Sequence, residues 1–157
     1  MTAPAVHLFL TGPLSQWHPA RFTVGGIAYN CAEQYMMHRK ALLFGDTAMA
    51  ARILNAAKPH DQKQMGASVE GFVEETWCNH RVEIVTTGNM AKFSQNDGLK
   101  KRLLQTGEAI LAEANPRDAI WGIALAADDP RALNPTQWQG ENLLGRILMD
   151  VRARLRA

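Results

Sequence analysis

The sequence predicts a mainly α-helical single domain with a small N-terminal β-hairpin, on three observations. The chain has 157 residues, 46% of them apolar and 20% charged, which is one domain's worth and enough to build a core without covalent staples. Leu143, Leu144, Ile147, Leu148, Val151 and Leu155 recur at helical spacing, and residues 32–44 read as a second strong helix. Alternation of the β type is confined to the segment around Gly25-Gly26.

The elements follow in order. Phe22-Thr23-Val24 and Ile27-Ala28-Tyr29 flank the Gly-Gly turn as two short strands. Asn30 followed by Glu33 has capping-box spacing, opening a helix over 32–44 that Gly45 stops. Asp46 is placed to cap a second helix with Ala50, Ile53, Leu54 and Ala57 inward, and Pro59 marks its end or the start of a short helical turn. Gly66 and Gly71 bracket a loop. Residues 74–93 read as a long helix despite the β-branched run 82–87. Asp97 caps a short helix over 99–105 that Gly107 ends, and 109–113 is a short strand. Residues 128–138 form a proline-bearing loop long enough to suggest function, and the apolar stripe from Leu143 to Leu155 forms the last helix. No repeat or linker interrupts the chain, so residues 1–157 are expected to form a single domain.

Composition narrows the chemistry. Seventeen Lys and Arg against fifteen Asp and Glu leave a net charge of +2, too little to argue for a nucleic-acid polyanion as default partner. Cys31 and Cys78 cannot build a disulfide framework or a four-thiolate zinc site. The histidines at 7, 18, 38, 60 and 80 lack metal-ligand spacing, and no glycine fingerprint for a dinucleotide or phosphate loop is present. No metal or other cofactor is expected. The residues also carry no recognisable targeting segment and no run long enough to span a membrane, so a cytoplasmic protein with no membrane partner is expected. No obligatory protein partner is evident.

Ala32-Glu33-Gln34-Tyr35-Met36-Met37-His38-Arg39-Lys40-Ala41 is the most informative segment. Seven helical residues turn through about 700°, so Glu33 and Lys40 share nearly one face about 10 Å apart along the axis, room enough for a sugar between them. Structural readings stand beside this one: Glu33 as half of a capping box, Lys40 as a solvated surface cation. Asp118, in the turn Asn115-Pro116-Arg117-Asp118 ahead of Trp121-Gly122, could present a carboxylate beside a stacking surface, or simply bond the turn backbone. Gly88-Asn89-Met90-Ala91-Lys92-Phe93-Ser94-Gln95-Asn96 gathers a cation and amides suited to a phosphate or base edge, or to helix-end solvation. Trp17, Trp77, Trp121 and Trp138 are enough for a stacking pocket. The N-terminus of the last helix, from Gly140-Glu141-Asn142, could receive an anion or be merely capped. Arg146, Arg152, Arg154 and Arg156 read as a solvated face.

Together, Ala32-Glu33-Gln34-Tyr35-Met36-Met37 with Lys40-Ala41 and Phe44-Gly45-Asp46, then Trp77, Lys92-Phe93-Ser94-Gln95-Asn96, Thr106-Gly107, Asp118 with Trp121-Gly122, and Asn142-Leu143-Leu144-Gly145 resemble the NADAR (YbiA-like) family from about Phe9 to Leu155. The resemblance implies an orthogonal helical bundle and an N-glycosidase, a hydrolase of N-glycosyl compounds. Its implied substrates are early riboflavin-biosynthesis intermediates, the ribosylamino-pyrimidine phosphates. The alternatives are ADP-ribosyl-guanine hydrolysis, in which nucleic acid enters only as ADP-ribosylated guanine, and a non-catalytic module binding ADP-ribose or an NAD-related ligand. The implied catalytic residues are Glu33, Lys40 and Asp118. Trp77, Lys92, Gln95, Asn96, Trp121, Gly122 and Asn142 are the implied substrate contacts, with Trp77 and Trp121 stacking and Lys92 on a phosphate. Leu14-Ser15-Gln16-Trp17-His18-Pro19 departs from the family's Leu-Ser-Asn-Phe-Tyr-Pro type of segment, which bears on that loop's ligand contacts.

Overall fold

The computed structural model describes residues 4–157. In chain order the elements are β1 (Val6–Phe9), β2 (Phe22–Val24), β3 (Ile27–Tyr29), α1 (Ala32–Leu43), α2 (Thr47–Asn55), α3 (Pro59–Ala67), α4 (Glu74–Ser94), α5 (Asp97–Leu104), β4 (Ile110–Glu113), 3₁₀ turns at Pro130–Leu133 and Pro135–Gln137, and α6 (Leu143–Arg156). The protein is mainly α with small β elements. Among the described residues no helix is long and apolar enough to cross a membrane. The chain divides into two compact units, Gln16–Asn96 and the remainder.

In the Gln16–Asn96 unit, α1 packs against α2, α3 and α4. Every residue from Ala32 to His38 is buried, and a helix covered on all sides has no polar face to reveal by periodicity. Its buried polar groups therefore need partners. Gln34 Nε2 donates to Ile53 O at 3.1 Å, and the Tyr29 hydroxyl bonds His38 Nδ1 at 2.9 Å. The helix opens at Ala32, as the sequence suggests, but its cap is not Asn30. Cys31 occupies the N-cap position, and the Asn30 N–H donates to Gln34 Oε1 at 2.7 Å, so the reciprocal capping contact belongs to Gln34 and not to Glu33. Asp46 does cap α2, accepting from Met49 N at 3.0 Å. Ala50 and Ile53 are buried there, whereas Ala57 lies beyond the helix and is exposed.

Gly66 is not a loop residue. It lies inside α3, where a Cβ would land on Met37 Sδ, and Gly88 in α4 would put a Cβ 2.6 Å from Tyr35 Cδ2. Both glycines bring a helix backbone close to α1, which outweighs glycine's unfavourable helix propensity. The β2–β3 hairpin forms as expected, with Phe22 opposite Tyr29 and positive φ at Gly25 and Gly26.

In the other unit, β1 and β4 pair in parallel, Val6 beside Ile110 and Phe9 beside Glu113. Local patterning identified β4 but not its partner, because a parallel pair carries no connecting hairpin turn. Ala112, Ala114, Ile123, Leu125 and Ala132 form a core against which Val6, Leu8 and Trp138 pack. Trp138 Nε1 donates to Ala132 O at 2.8 Å, so this tryptophan serves the core. The late arginines are not all solvated. Arg152 is buried, with Nη1 donating to Thr106 Oγ1 and Nη2 to Ala109 O, both at 2.8 Å.

Candidate active site

The Gln16–Asn96 unit gathers Glu33, Lys40, Trp77 and Lys92 around α1. Glu33 stands in the first helical turn and is buried; its N–H donates to Gln16 O at 3.0 Å. A helix N-terminus favours a negative charge there. Gln16 is itself fixed from α4, its Oε1 accepting from Asn89 Nδ2 at 2.9 Å. One of the three residues that depart from the family pattern in the loop before β2, Gln16, is thus part of the support of Glu33.

Two turns on, Lys40 is half-buried, its Nζ 4.7 Å from the Phe72 ring centroid and 5.5 Å from that of Trp77. Both separations lie within the roughly 6 Å reach of cation–π attraction. Burial pushes the Lys40 pKa down, while the charge of Glu33 acts in the opposite direction, so the two ionisable groups feel one another as their spacing suggested.

Lys92 is wholly buried, its Nζ 4.8 Å from the Phe93 ring centroid. Burial pushes its pKa down to about 7, opposed by Cys31. An ammonium without solvent access offers no open phosphate cradle. Cys31 is also buried, and its Sγ–H donates to Gln62 Oε1 at 3.1 Å. Burial raises the thiol pKa to about 11; Glu33 raises it further and Lys92 lowers it. Cys31 therefore lies within electrostatic reach of both groups while remaining a thiol, not a nucleophilic thiolate.

Gln95 and Asn96 are engaged by the fold. Gln95 clamps β2, accepting from Thr23 N at 2.8 Å and donating to Thr23 O at 2.9 Å. Asn96 Nδ2 donates to Arg21 O and Lys92 O at 2.9 and 2.8 Å. These amides tie the hairpin to the end of α4.

Asp118, Trp121, Gly122 and Asn142 come together in the other unit. Asp118 Oδ1 accepts from Ile120 N at 3.0 Å and Trp121 N at 2.8 Å, a side-chain-closed turn. Gly122 is buried where a Cβ would sit 2.8 Å from Glu113 O. Asn142, at φ 52°, bridges to β4: its Oδ1 accepts from Glu113 N at 3.1 Å and its Nδ2 donates to Leu111 O at 2.9 Å. Leu143 N and Leu144 N donate to Ile120 O and Trp121 O, both at 3.1 Å. The first donors of α6 are thus spent on the chain's own carbonyls, and that helix end is not the anion site its sequence allowed.

Sequence reasoning missed Phe72 and undervalued Cys31. Phe72 had only a weak signal, an aromatic residue following Gly71 in a loop, and Cys31 none beyond its place beside Glu33. Among the described residues no group of His, Cys, Asp and Glu could hold a metal ion.

A family model described as the NADAR domain matches residues 9–156. An N-glycosidase of Acanthamoeba polyphaga mimivirus is 44% identical over 152 residues, spanning 94% of this chain and 86% of that protein. A riboflavin biosynthesis protein of Vibrio vulnificus is 30% identical over 144 residues, spanning 92% of this chain but only 35% of that protein. The NMR structure of the E. coli protein YbiA matches with a TM-score of 0.80 at 24% identity, over 99% of this chain and 88% of that one, a likeness of fold.

Proposed function

The chain belongs to the NADAR domain family, and from that premise we propose that it is an N-glycosidase that hydrolyses the bond between a ribosyl phosphate and the amine of a pyrimidine. The observation that carries the reading is the pairing of a buried carboxylate, Glu33, with a desolvated amine, Lys40, on one face of α1. The mimivirus relative's name supports the reaction, and the Vibrio relative's name supports the substrate class.

Cleaving an N-glycosylamine develops positive charge at the anomeric carbon. Glu33, at a helix N-terminus that favours negative charge, offsets that charge and orients the attacking group. Lys40 is the nucleophile of the proposal, because its lowered pKa enlarges the neutral-amine fraction over that of an ordinary lysine. The sugar ring opens to an iminium at C1, with the ring oxygen taking a proton. Lys40 Nζ adds to C1, and the pyrimidine amine leaves with a proton. Water then adds to the resulting Schiff base, releasing ribose phosphate and restoring Lys40. Lys92 acts indirectly, through its charge on the Cys31 thiol at the start of α1, and Asp118 is assigned no bond-making step.

Incubation of the purified chain with a ribosylamino-pyrimidine phosphate is expected to release ribose phosphate. Incubation with ADP-ribosylated guanine in single-stranded DNA is the competing arm. ADP-ribose released there, with no product from the pyrimidine substrate, would replace the substrate assignment; tight binding without product in either arm would replace catalysis with a binding role.

A further inference from the structure

The aromatic surface that faces solvent beside Lys40 is Phe72, not Trp77. Trp77 is 8% exposed and Phe72 45% exposed, though both rings lie within cation–π distance of the same ammonium. A tryptophan packed to that extent has no open face for a ligand to stack on. Phe72 does, and its position is fixed from several sides. Its ring meets Phe44 edge-on at 5.4 Å between centroids. The preceding Gly71 adopts φ 77°, and a Cβ there would come within 3.3 Å of Phe44 O. Glu70 N donates to Asp46 Oδ2 at 2.9 Å, while the same carboxylate caps α2 through Met49 N. Those two backbone bonds hold the Asp46 pKa below the ordinary carboxylate range, so the clamp stays ionised at neutral pH. The loop between α3 and α4 is thereby tied to the start of α2, and an exposed phenyl ring is held over a reactive amine.

We propose that Phe72 is the specificity-determining residue for the leaving group: its exposed ring stacks on a planar heteroaromatic base while Lys40 engages the anomeric carbon. The inference rests on the N-glycosidase reading and deepens it. With Lys40 Nζ 4.7 Å from the ring centroid, a base joined to a carbon held at that nitrogen has the Phe72 ring within reach of the span of about 4.5–7 Å over which aromatic ring centroids pair. The site is therefore selective for flat, aromatic amines over saturated ones carrying the same sugar phosphate.

The test uses the full chain and the variants Phe72→Leu and Phe72→Trp. Phe72→Leu keeps an apolar cover over Lys40 without a flat ring; Phe72→Trp keeps the flat ring. Calorimetric binding of a free diaminopyrimidine and of ribose 5-phosphate is measured for each, followed by KM and kcat on the ribosylamino-pyrimidine phosphate. Phe72→Leu is expected to weaken pyrimidine binding and raise KM by about 10-fold, the scale of one stacked base. Ribose 5-phosphate affinity and kcat should stay within about twofold, and Phe72→Trp should bind the pyrimidine at least as well as the parent. Unchanged pyrimidine binding in Phe72→Leu would overturn the proposal, as would equal losses for both ligands in both variants, the mark of a merely structural role. Because binding is read apart from turnover, a wild-type chain that fails to hydrolyse yet loses pyrimidine affinity on Phe72→Leu refutes the hydrolytic reading and leaves the stacking role standing.

Discussion

Lys40 and Lys92 are both depressed in pKa by burial, to different ends. Lys40 keeps an exposed portion under Phe72 and remains within the field of Glu33, so its protonation can be coupled to a ligand. Trapping with borohydride in the presence of substrate is expected to add one sugar phosphate to Lys40, seen by intact-protein mass. Lys40→Arg, which retains charge but not nucleophilicity, should lower kcat by at least about 100-fold. Substantial turnover in that variant would make the lysine an electrostatic aid only. Lys92 has a measurable signature in stability. Its folded pKa of about 7 lies below the 10.5 of the unfolded chain, so between those values the unfolded state binds more protons and stability rises with pH. Cys31 and Tyr29 are shifted upward, toward about 11 and about 12 from 9.0 and 10.0, and their opposing slopes begin only near pH 9. From pH 7 to 9 the unfolding free energy of the parent should therefore climb. Lys92→Met should flatten the climb by up to about 1.4 kcal/mol per pH unit. Equal slopes in urea titrations of the two proteins would contradict the buried, proton-poor lysine.

At the scale of the element, α1 is both the centre of its unit and the carrier of Glu33 and Lys40, so the packing that surrounds it sets the geometry of the reaction. The close approaches at Gly66 and Gly88 are what that packing demands. An added methyl gains helix propensity of up to about 1 kcal/mol but forces Met37 or Tyr35 aside. Tyr35 is boxed in by Tyr29 and Phe22, at 5.0 and 6.1 Å between centroids, and has less freedom than a methionine chain. Gly88→Ala should accordingly destabilise the protein by about 1–3 kcal/mol in urea unfolding, and more than Gly66→Ala does. A neutral or stabilising Gly88→Ala would refute the tight α1–α4 contact. Reading Gly66 as a loop residue failed because glycine marks turns and close helix approaches alike, and only the tertiary partner distinguishes them. Asp46 was legible because a cap acts locally; its second bond, to Glu70 N, is tertiary and left no trace in the pattern.

For the molecule as a whole, features encoded by short-range periodicity were readable: the hairpin, α1, the long α4 and the terminal stripe of α6. The parallel β1–β4 pair and the buried Arg152 depend on residues far apart in sequence, where no local signal exists. The candidate site divides along the same line. Glu33 and Lys40 emerged from a seven-residue spacing on one helix, whereas Phe72 and Gln16 reach that helix only through the fold, as does the Gln62 partner of its capping residue Cys31. The most direct measurement is single-turnover release of ribose phosphate from a ribosylamino-pyrimidine phosphate by the parent and by Glu33→Gln, with matched far-UV circular dichroism. The parent is expected to release ribose phosphate and the variant to lose at least about 100-fold in rate, with the helical signal unchanged; equal rates in the two proteins would contradict a catalytic Glu33.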